Sequence, residues 1–390
     1  MTPKGRFYLI KLERVGFAAA NILKQEMLAK GGEAAISGSI YFSKEETTDA
    51  LLLTTERTLK RVIQNLKAQP LPSLQEMAQE LSTALDQYTQ RYVAPSCRIG
   101  SREFFWGERT YIMGIINVTP DSFSGDGLLR DASPAEMIDK AVEQALAFID
   151  QGADIIDIGG ESTRPGASPI GAETERARTE PVIRKLRTLT DVPISIDTYK
   201  APVAEAALDA GADLVNDVWG LQMDPRMGPL VARRAVPVVL MHNRSKPKNA
   251  AQEDRLGGRY IGIHYDDLMA DILRELRQLV AQALQFGIAP EQIIIDPGIG
   301  FGKTVEQNLQ LLNHLDELRV LGFPILLGPS RKSFIGYTLD LPPEERLEGT
   351  AAAVAVSIVR NGADIVRVHD VQAIARVAKM TDAIVRAGYR

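Results

Sequence analysis

From position 111 to the end of the chain, short runs of β-branched and other apolar residues alternate with longer stretches of helical periodicity. The apolar runs fall at 111–118, 154–160, 193–198, 214–218, 237–242, 293–300, 325–330 and 364–370, and amphipathic stretches such as 135–150, 304–321 and 372–387 follow them. Short continuous apolar runs bounded by turn residues mark buried strands, and apolar positions three and four apart mark helices. Eight βα units in roughly 280 residues predict a (β/α)8 TIM barrel. The rival arrangement, an open doubly wound sheet, lacks its usual early Gly-rich phosphate loop of Rossmann type. A recurring phrase supports repeated units: Gly152-Ala153-Asp154, Gly211-Ala212-Asp213 and Gly362-Ala363-Asp364 each close a helical pattern and open a strand. Glycine tolerates the left-handed conformation at a helix C-terminus, so the phrase predicts one αβ turn used three times.

The first hundred residues have a different rhythm. Strands are expected at 6–15, 34–42 and 50–54, and helices at 18–30, 55–68 and 73–92, with Pro70-Leu71-Pro72 separating the last two. The pattern predicts a small N-terminal α/β domain, residues 1–100, joined through 93–108 to a barrel at 105–390. The charged helix face bearing Glu56, Arg57, Lys60 and Arg61 reads as solvated surface.

Composition narrows the functional classes. The chain has 390 residues, 45% apolar, with 45 Lys+Arg against 50 Asp+Glu, a net charge of −5. That balance offers no general field for nucleic acid, and no window has the roughly 18 apolar residues of a membrane span. One cysteine, Cys97, excludes an intramolecular disulfide and a Cys-rich zinc site. With no signal-peptide pattern at its start, the chain is expected in the cytoplasm.

Candidate chemistry collects at the strand C-terminal ends, where barrels of this kind place their sites. Asp217 is among the polar residues at these ends, and Asp197, Asn216 and Asp296 together are strand-embedded, where desolvated acceptors need partners. A ligand presenting several N–H donors would supply them, since a carboxylate accepts two parallel hydrogen bonds. The same rim carries Arg164, Lys303, Arg331, Lys332, Arg367 and His369, a cationic set suited to phosphate or diphosphate. Pairing with local carboxylates is the competing explanation for each. His242 also reaches the rim, whereas His264 and His314 fall on helical stretches. No zinc-like spacing or Ser/His/Asp triad is present. A Mg2+ ion shared between Asn117 and substrate phosphates fits a cation that keeps its waters.

Five phrases occur in order: Asn117-Val118-Thr119-Pro120-Asp121-Ser122-Phe123-Ser124, Gly159-Gly160-Glu161-Ser162-Thr163-Arg164-Pro165-Gly166, Asp296-Pro297-Gly298-Ile299-Gly300-Phe301-Gly302-Lys303, Ser330-Arg331-Lys332-Ser333 and Arg367-Val368-His369-Asp370. Together they resemble the dihydropteroate synthase family from about residue 105 onward. The resemblance implies a transferase in which p-aminobenzoate displaces pyrophosphate from 6-hydroxymethyl-7,8-dihydropterin diphosphate. It would put Asp197, Asn216, Asp296 and Lys332 on the pterin's polar edge, and Met241 and Phe301 near its faces or the mouth. Arg367 would stack on the ring and help His369 hold the diphosphate, with Thr163 and Arg164 contacting that anion or the loop that closes over it. Thr163, Pro165, Phe301, Lys332 and Ser333 would frame p-aminobenzoate, Asn117 would ligate Mg2+, and a homodimer would form through outer helices. The resemblance thus assigns catalytic work to Arg164, Asp197, Lys332, Arg367 and His369. It also favours an SN1-like step without a protein nucleophile.

Two features depart from that family. Met241-His242-Asn243-Arg244 lacks the second methionine many members have after the histidine, and the leading hundred residues exceed the minimal enzyme. That extension is too short for a fused pyrophosphokinase. Two other functions share pterin recognition: a methyltransferase acting from a reduced folate to a corrinoid protein, and a catalytically idle pterin-binding paralogue. The first needs no diphosphate clamp and the second predicts its decay, whereas Ser330-Arg331-Lys332 and Arg367-Val368-His369 retain it.

Overall fold

A computed structural model of the chain describes residues 5–42, 46–90, 92–119, 133–162, 167–245, 249–253 and 255–387. It divides into two compact units, 1–90 and 91–390. In the first, β1 (Phe7–Gly16), α1 (Phe17–Ala29), β2 (Glu33–Ile36), β3 (Thr47–Thr55), α2 (Glu56–Lys67) and α3 (Pro72–Gln90) form an antiparallel sheet of order β1-β3-β2 with helices on it. Its core includes Leu23, Met27, Leu52, Leu59, Leu66 and Leu74. The Thr55 side chain caps α2 by accepting from the Thr58 N–H. The strand expected over 34–42 stops at Ile36, and Gly38–Phe42 turn as a 3-10 helix. Gly38 and the Ser37–Ser39 side-chain hydrogen bonds favour the turn over continued pairing.

The second unit opens with a hairpin, β4 (Ser96–Ile99) and β5 (Arg102–Phe105), inside the segment expected to be the join. Eight parallel strands follow: β6 (Tyr111–Asn117), β7 (Ile155–Gly159), β8 (Ile194–Asp197), β9 (Leu214–Asp217), β10 (Val238–Met241), β13 (Ile293–Asp296), β14 (Leu326–Leu327) and β15 (Ile365–Val368). A two-residue ribbon, β11 (Ala250–Ala251) with β12 (Arg259–Tyr260), lies between β10 and β13. The sheet order is β13-β10-β9-β8-β7-β6-β15-β14, and an Ile295–Ile325 bridge joins its two ends. That closure makes the sheet a barrel and removes the open-sheet alternative.

Outside it lie α4 (Pro134–Asp150), α5 (Ala172–Arg187), α6 (Ala201–Ala210), α7 (Met227–Arg234), α8 (Leu268–Gln285), α9 (Val305–Asn313), α10 (Ser333–Leu339), α11 (Leu347–Val359) and α12 (Val371–Arg386). The helix expected over 304–321 breaks at His314 into α9 and a 3-10 segment, Leu315–Leu321. His264 lies in the loop before α8, bonded to Asp266 at 2.8 Å, and is not helical.

Strand alternation sorts the barrel into layers. Met113, Ile155, Leu214, Val239, Ile294, Leu326 and Ile365 pack with Cys97, Ile99, Phe104 and Trp106, so the hairpin supplies part of the apolar floor. Two residues farther along, on the same face of their strands, come Asp157, Asn216, Met241, Asp296, Gly328 and Arg367. An apolar layer therefore lies under a polar one.

The Gly-Ala-Asp phrase acquires a tertiary meaning. Asp154 accepts the Ile112 N–H at 2.9 Å and both Arg109 nitrogens. Asp213 accepts the Ile194 N–H at 2.9 Å and pairs with Arg187. Asp364 accepts the Ile325 N–H at 2.8 Å and Arg319 Nη1 at 2.6 Å. Each carboxylate ties the start of its own strand to its neighbour's and carries an arginine counter-ion. The three turns differ in backbone: Gly152 and Gly211 are left-handed, but at the third it is Asn361, φ 55°, that adopts that region. Gly362 serves close approach instead, since a Cβ there would lie 2.2 Å from Leu315 Cβ.

Candidate active site

A cavity opens at the strand C-terminal ends, lined by Asp197, Asn216, Val218, Met241, Asp296, Ile299, Phe301, Gly328, Lys332 and Arg367. Seven of the residues singled out in the sequence therefore converge there. Asp197, Met241 and Asp296 are the last residues of β8, β10 and β13; Asn216 and Arg367 are each the third residue of a four-residue strand. Lys332 is the N-cap of α10, and Ser333 is its first residue.

Electrostatics at this site follow from burial. Asp296 accepts the Gly298 N–H on Oδ1 at 2.7 Å, which leaves its other oxygen for the cavity. Burial pushes its carboxyl up to about 6 despite that hydrogen bond and the nearby Lys332 and Lys303 charges. Asp197, also desolvated, is pushed up to about 7 against the pull of Arg367. Arg367 bridges two carboxylates, Nε to Asp157 Oδ2 and Nη2 to Asp197 Oδ2, both at 2.6 Å. Those two charges outweigh burial and raise its pKa further above its ordinary value.

The cavity's other wall is apolar. Val218, Met241 and Phe301 form a buried patch with Tyr199 and Trp219 against it. Lys332 Nζ sits 3.9 Å from the centroid of the Phe301 ring, which aligns this side chain across the mouth. A flat heteroaromatic ring with a donor-rich edge matches the combination of apolar wall and buried acceptors.

At the neighbouring rim, the Ser330 hydroxyl accepts the His369 backbone N–H at 3.1 Å and lies 3.0 Å from His369 Nδ1. The hydroxyl keeps a second lone pair, so it can accept from Nδ1–H while Nε2 accepts the Asn117 Nδ2–H. Nε2 is 3.5 Å from the Asn117 amide at the end of β6. Asn117 offers a single neutral oxygen, and no cluster of three or more His, Cys, Asp or Glu suited to a metal occurs among the described residues. That donor set fits only an ion that takes most of its ligands from water and phosphate, as Mg2+ does.

Several expected rim groups serve other ends. Lys303 is buried, its Nζ within 3.0 Å of Gly298 O, 3.1 Å of His242 Nδ1 and 3.2 Å of Phe301 O. Three ammonium hydrogens meet three acceptors, so the side chain braces the loop and does not face the rim. Arg331 forks onto Asp370 through Nε at 3.0 Å and Nη2 at 2.5 Å. His242, buried, contacts Glu275 through Nε2 at 2.9 Å, and burial together with the Lys303 charge pushes it down to about 4. Asp217 turns away from the cavity to accept the Trp219 and Leu221 N–H groups at 2.9 Å. In the loop that departs from the expected motif, Asn243 donates to Val218 O at 3.0 Å, and Arg244 grips Glu275 and Asp271 and stacks 4.2 Å from the Tyr265 ring centroid. Thr163, Arg164 and Pro165 lie outside the described residues.

Sequence reasoning missed Asp157. It is fully buried in the polar layer, holding Arg367 and accepting from Asn216 Nδ2 at 3.3 Å. The signal was available, since a carboxylate inside Ile155-Ile156-Asp157-Ile158 faces the same desolvation argument as Asp197.

Comparison with known proteins agrees with this geometry. The model of the pterin binding enzyme family matches residues 113–369. A dihydropteroate synthase of Clostridium beijerinckii is 50% identical over 289 residues, covering 74% of this chain and 99% of that protein. A probable bifunctional folylpolyglutamate synthase/dihydropteroate synthase of Halobacterium salinarum is 40% identical over 385 residues, 98% of this chain and 44% of that one. Among solved structures, Xanthomonas albilineans dihydropteroate synthase with 4-aminobenzoic acid superposes with TM-score 0.67 at 40% identity, covering 76% of this chain and all of the other. The chain belongs to the pterin binding enzyme family, and its activity is that of a dihydropteroate synthase, a transferase that joins p-aminobenzoate to 6-hydroxymethyl-7,8-dihydropterin diphosphate with release of pyrophosphate.

Proposed function

We propose that the pterin ring lies in the cavity with its polar edge on Asp197, Asn216, Asp296 and Lys332 and its faces against Met241 and Phe301. The observation that carries this reading is the convergence of two desolvated carboxylates and an amide on one cavity with an apolar wall. Arg367 and His369 hold the diphosphate, joined by Arg164. Thr163, Pro165, Phe301, Lys332 and Ser333 frame p-aminobenzoate.

The chemistry asks for orientation and charge stabilisation. The C–O bond from the pterin methylene to diphosphate breaks with its electron pair leaving on oxygen, while the electron-rich dihydropterin carries the positive charge. The neutral aniline nitrogen then bonds to the methylene and gives up a proton to solvent. Arg367 and His369 neutralise the leaving group; Asp197 and Asp296 hold the ring edge. Mg2+, with Asn117 as its protein ligand, supplies further charge neutralisation when bound. No side chain has to act as nucleophile.

Pyrophosphate release from purified protein, with and without p-aminobenzoate, tests the scheme. Release dependent on p-aminobenzoate, lost in Arg367→Ala and stimulated by Mg2+, is expected. Full turnover in that variant removes Arg367 from the diphosphate site, and turnover indifferent to Mg2+ and to Asn117→Ala removes the ion.

The same reading makes the protein a cytoplasmic homodimer. Among the described residues no helix is long and apolar enough to cross a membrane. Val356 and Val359 on α11 and Met380 and Ile384 on α12 are exposed on helices that pack together, an apolar outer surface suited to a second copy. Light scattering is expected to give twice the chain mass, halved in Met380→Glu; a monomer in both refutes the dimer. Recovery of the protein in a membrane fraction after cell lysis contradicts the cytoplasmic assignment.

A further inference from the structure

Arg367 spans two carboxylates, yet it uses only one oxygen of each: Asp157 Oδ2 and Asp197 Oδ2. The unused oxygen of Asp157, Oδ1, is buried and has no hydrogen-bond partner. A guanidinium is a planar fork whose strongest pairing takes both oxygens of one carboxylate. Arg367 already donates its Nε–H to Asp157, so the vacant oxygen belongs to the carboxylate on which that fork could close. Asp197, in contrast, lines the cavity and lies at the end of its strand, where a ligand reaches it.

These facts describe two pairings of one arginine. In the structure Arg367 splits its donors and neutralises Asp197. A ligand edge that donates N–H groups to Asp197 competes directly with Nη2. A buried cation released with no other acceptor would be costly, and Asp157 removes that cost by offering a second oxygen beside the one already bonded. We propose that Asp157 is the positioning residue on which Arg367 pivots: the pterin displaces the guanidinium from Asp197, and the fork closes on both oxygens of Asp157. Asp157 thus keeps the cation at the cavity while freeing the acceptor that the ring edge needs. Asn216 donates to Asp157 Oδ2 from the third flank and holds the carboxylate in register.

The inference rests on the assignment of Asp197 to the pterin edge, and the experiment separates the two. Calorimetry with 6-hydroxymethylpterin is run on the full chain and on Asp197→Asn, Asp157→Asn, Arg367→Met and the double variant Asp157→Asn/Arg367→Met. Asp157→Asn should weaken binding about 10- to 100-fold, because the arginine then stays on its one remaining carboxylate. In the Arg367→Met background the same change should have little effect, since no cation competes for Asp197. Equal losses in both backgrounds make Asp157 a structural residue and overturn the pivot. Unchanged binding in Asp157→Asn overturns it as well. Unchanged binding in Asp197→Asn instead overturns the assignment of the ring edge. Should Asp157→Asn fail to fold, side-chain NMR of the unmutated protein decides, with the Arg367 signal assigned from Arg367→Lys. The Nε–H should remain hydrogen-bonded on pterin addition while the Nη signals shift. Nη signals that do not respond leave the arginine on Asp197 and refute the proposal.

Discussion

Replacing Asp296 by Asn changes one atom and tests the orientation of the site. Asp296 Oδ1 accepts the Gly298 N–H at 2.7 Å, and a substituted amide must keep its own oxygen there or bury an unsatisfied donor. The amide nitrogen is therefore forced toward the cavity, donor against donor. Loss of a hydrogen bond to a charged acceptor removes about 1.5–3 kcal/mol, and an unpaired ligand N–H adds about 1–3 kcal/mol. The sum corresponds to on the order of 100- to 10,000-fold in Kd for 6-hydroxymethylpterin. Stability should move the other way at pH 8, because the carboxyl is pushed up to about 6 by burial and its ionised form is the one that burial disfavours. Binding should also carry a pH limb: the carboxylate accepts two N–H groups only when ionised, so affinity falls as pH drops below about 6. Calorimetry across pH 5–8, with a thermal melt on each sample, reads all three effects. An affinity within threefold of the parent would falsify the placement of Asp296 on the ring edge, whereas an acid limb that remains in the variant belongs to Asp197, pushed up to about 7 by burial.

Four further outcomes are expected. Lys303→Met leaves Gly298 O, Phe301 O and His242 Nδ1 without their common donor, so urea unfolding should show a loss of about 2–4 kcal/mol and the KM for the pterin substrate should rise; an unchanged midpoint contradicts the brace. His242, held near 4 against an ordinary 6.5, stays neutral in the fold while the unfolded chain takes up a proton, so its contribution, about 3 kcal/mol, is complete above pH 6.5 and is lost as pH falls toward 4; His242→Gln should flatten that slope, and an identical slope rejects the assignment. Arg319→Met strands the buried Asp364 carboxylate and should cost about 3–5 kcal/mol by chemical denaturation, whereas Arg226→Met, on an exposed pair, should change little; similar effects for both would sink the strand-clamp argument. A chain of residues 91–390 should fold and turn over, because its core is built from its own residues; loss of turnover gives residues 1–90 a part in the reaction.

The barrel was legible because its determinants are local. Strand and helix periods, the Gly-Ala-Asp turns and the polar residues at eight strand ends are all properties of short windows, and they located Asp197, Asn216, Met241, Asp296, Phe301, Lys332 and Arg367 in one cavity. Windows fail where a partner lies far away in the chain. Lys303, Arg331 and Arg367 look alike as cations after or near strand ends, yet Lys303 finds two loop carbonyls and His242, Arg331 finds Asp370, and Arg367 finds Asp157, 210 residues distant. Which cation is spent on the fold and which faces a ligand depends on acceptors brought together by closure of the sheet. The hairpin at 96–105 shows the same limit, since its apolar residues gain a purpose only under the barrel floor. The amino-acid order by itself determined the repeating unit and the side of the barrel that carries chemistry, through backbone propensity and hydrophobic period. Tertiary structure decided the pairing of buried charges, because desolvation penalises every ionised group and only spatial neighbours can compensate it.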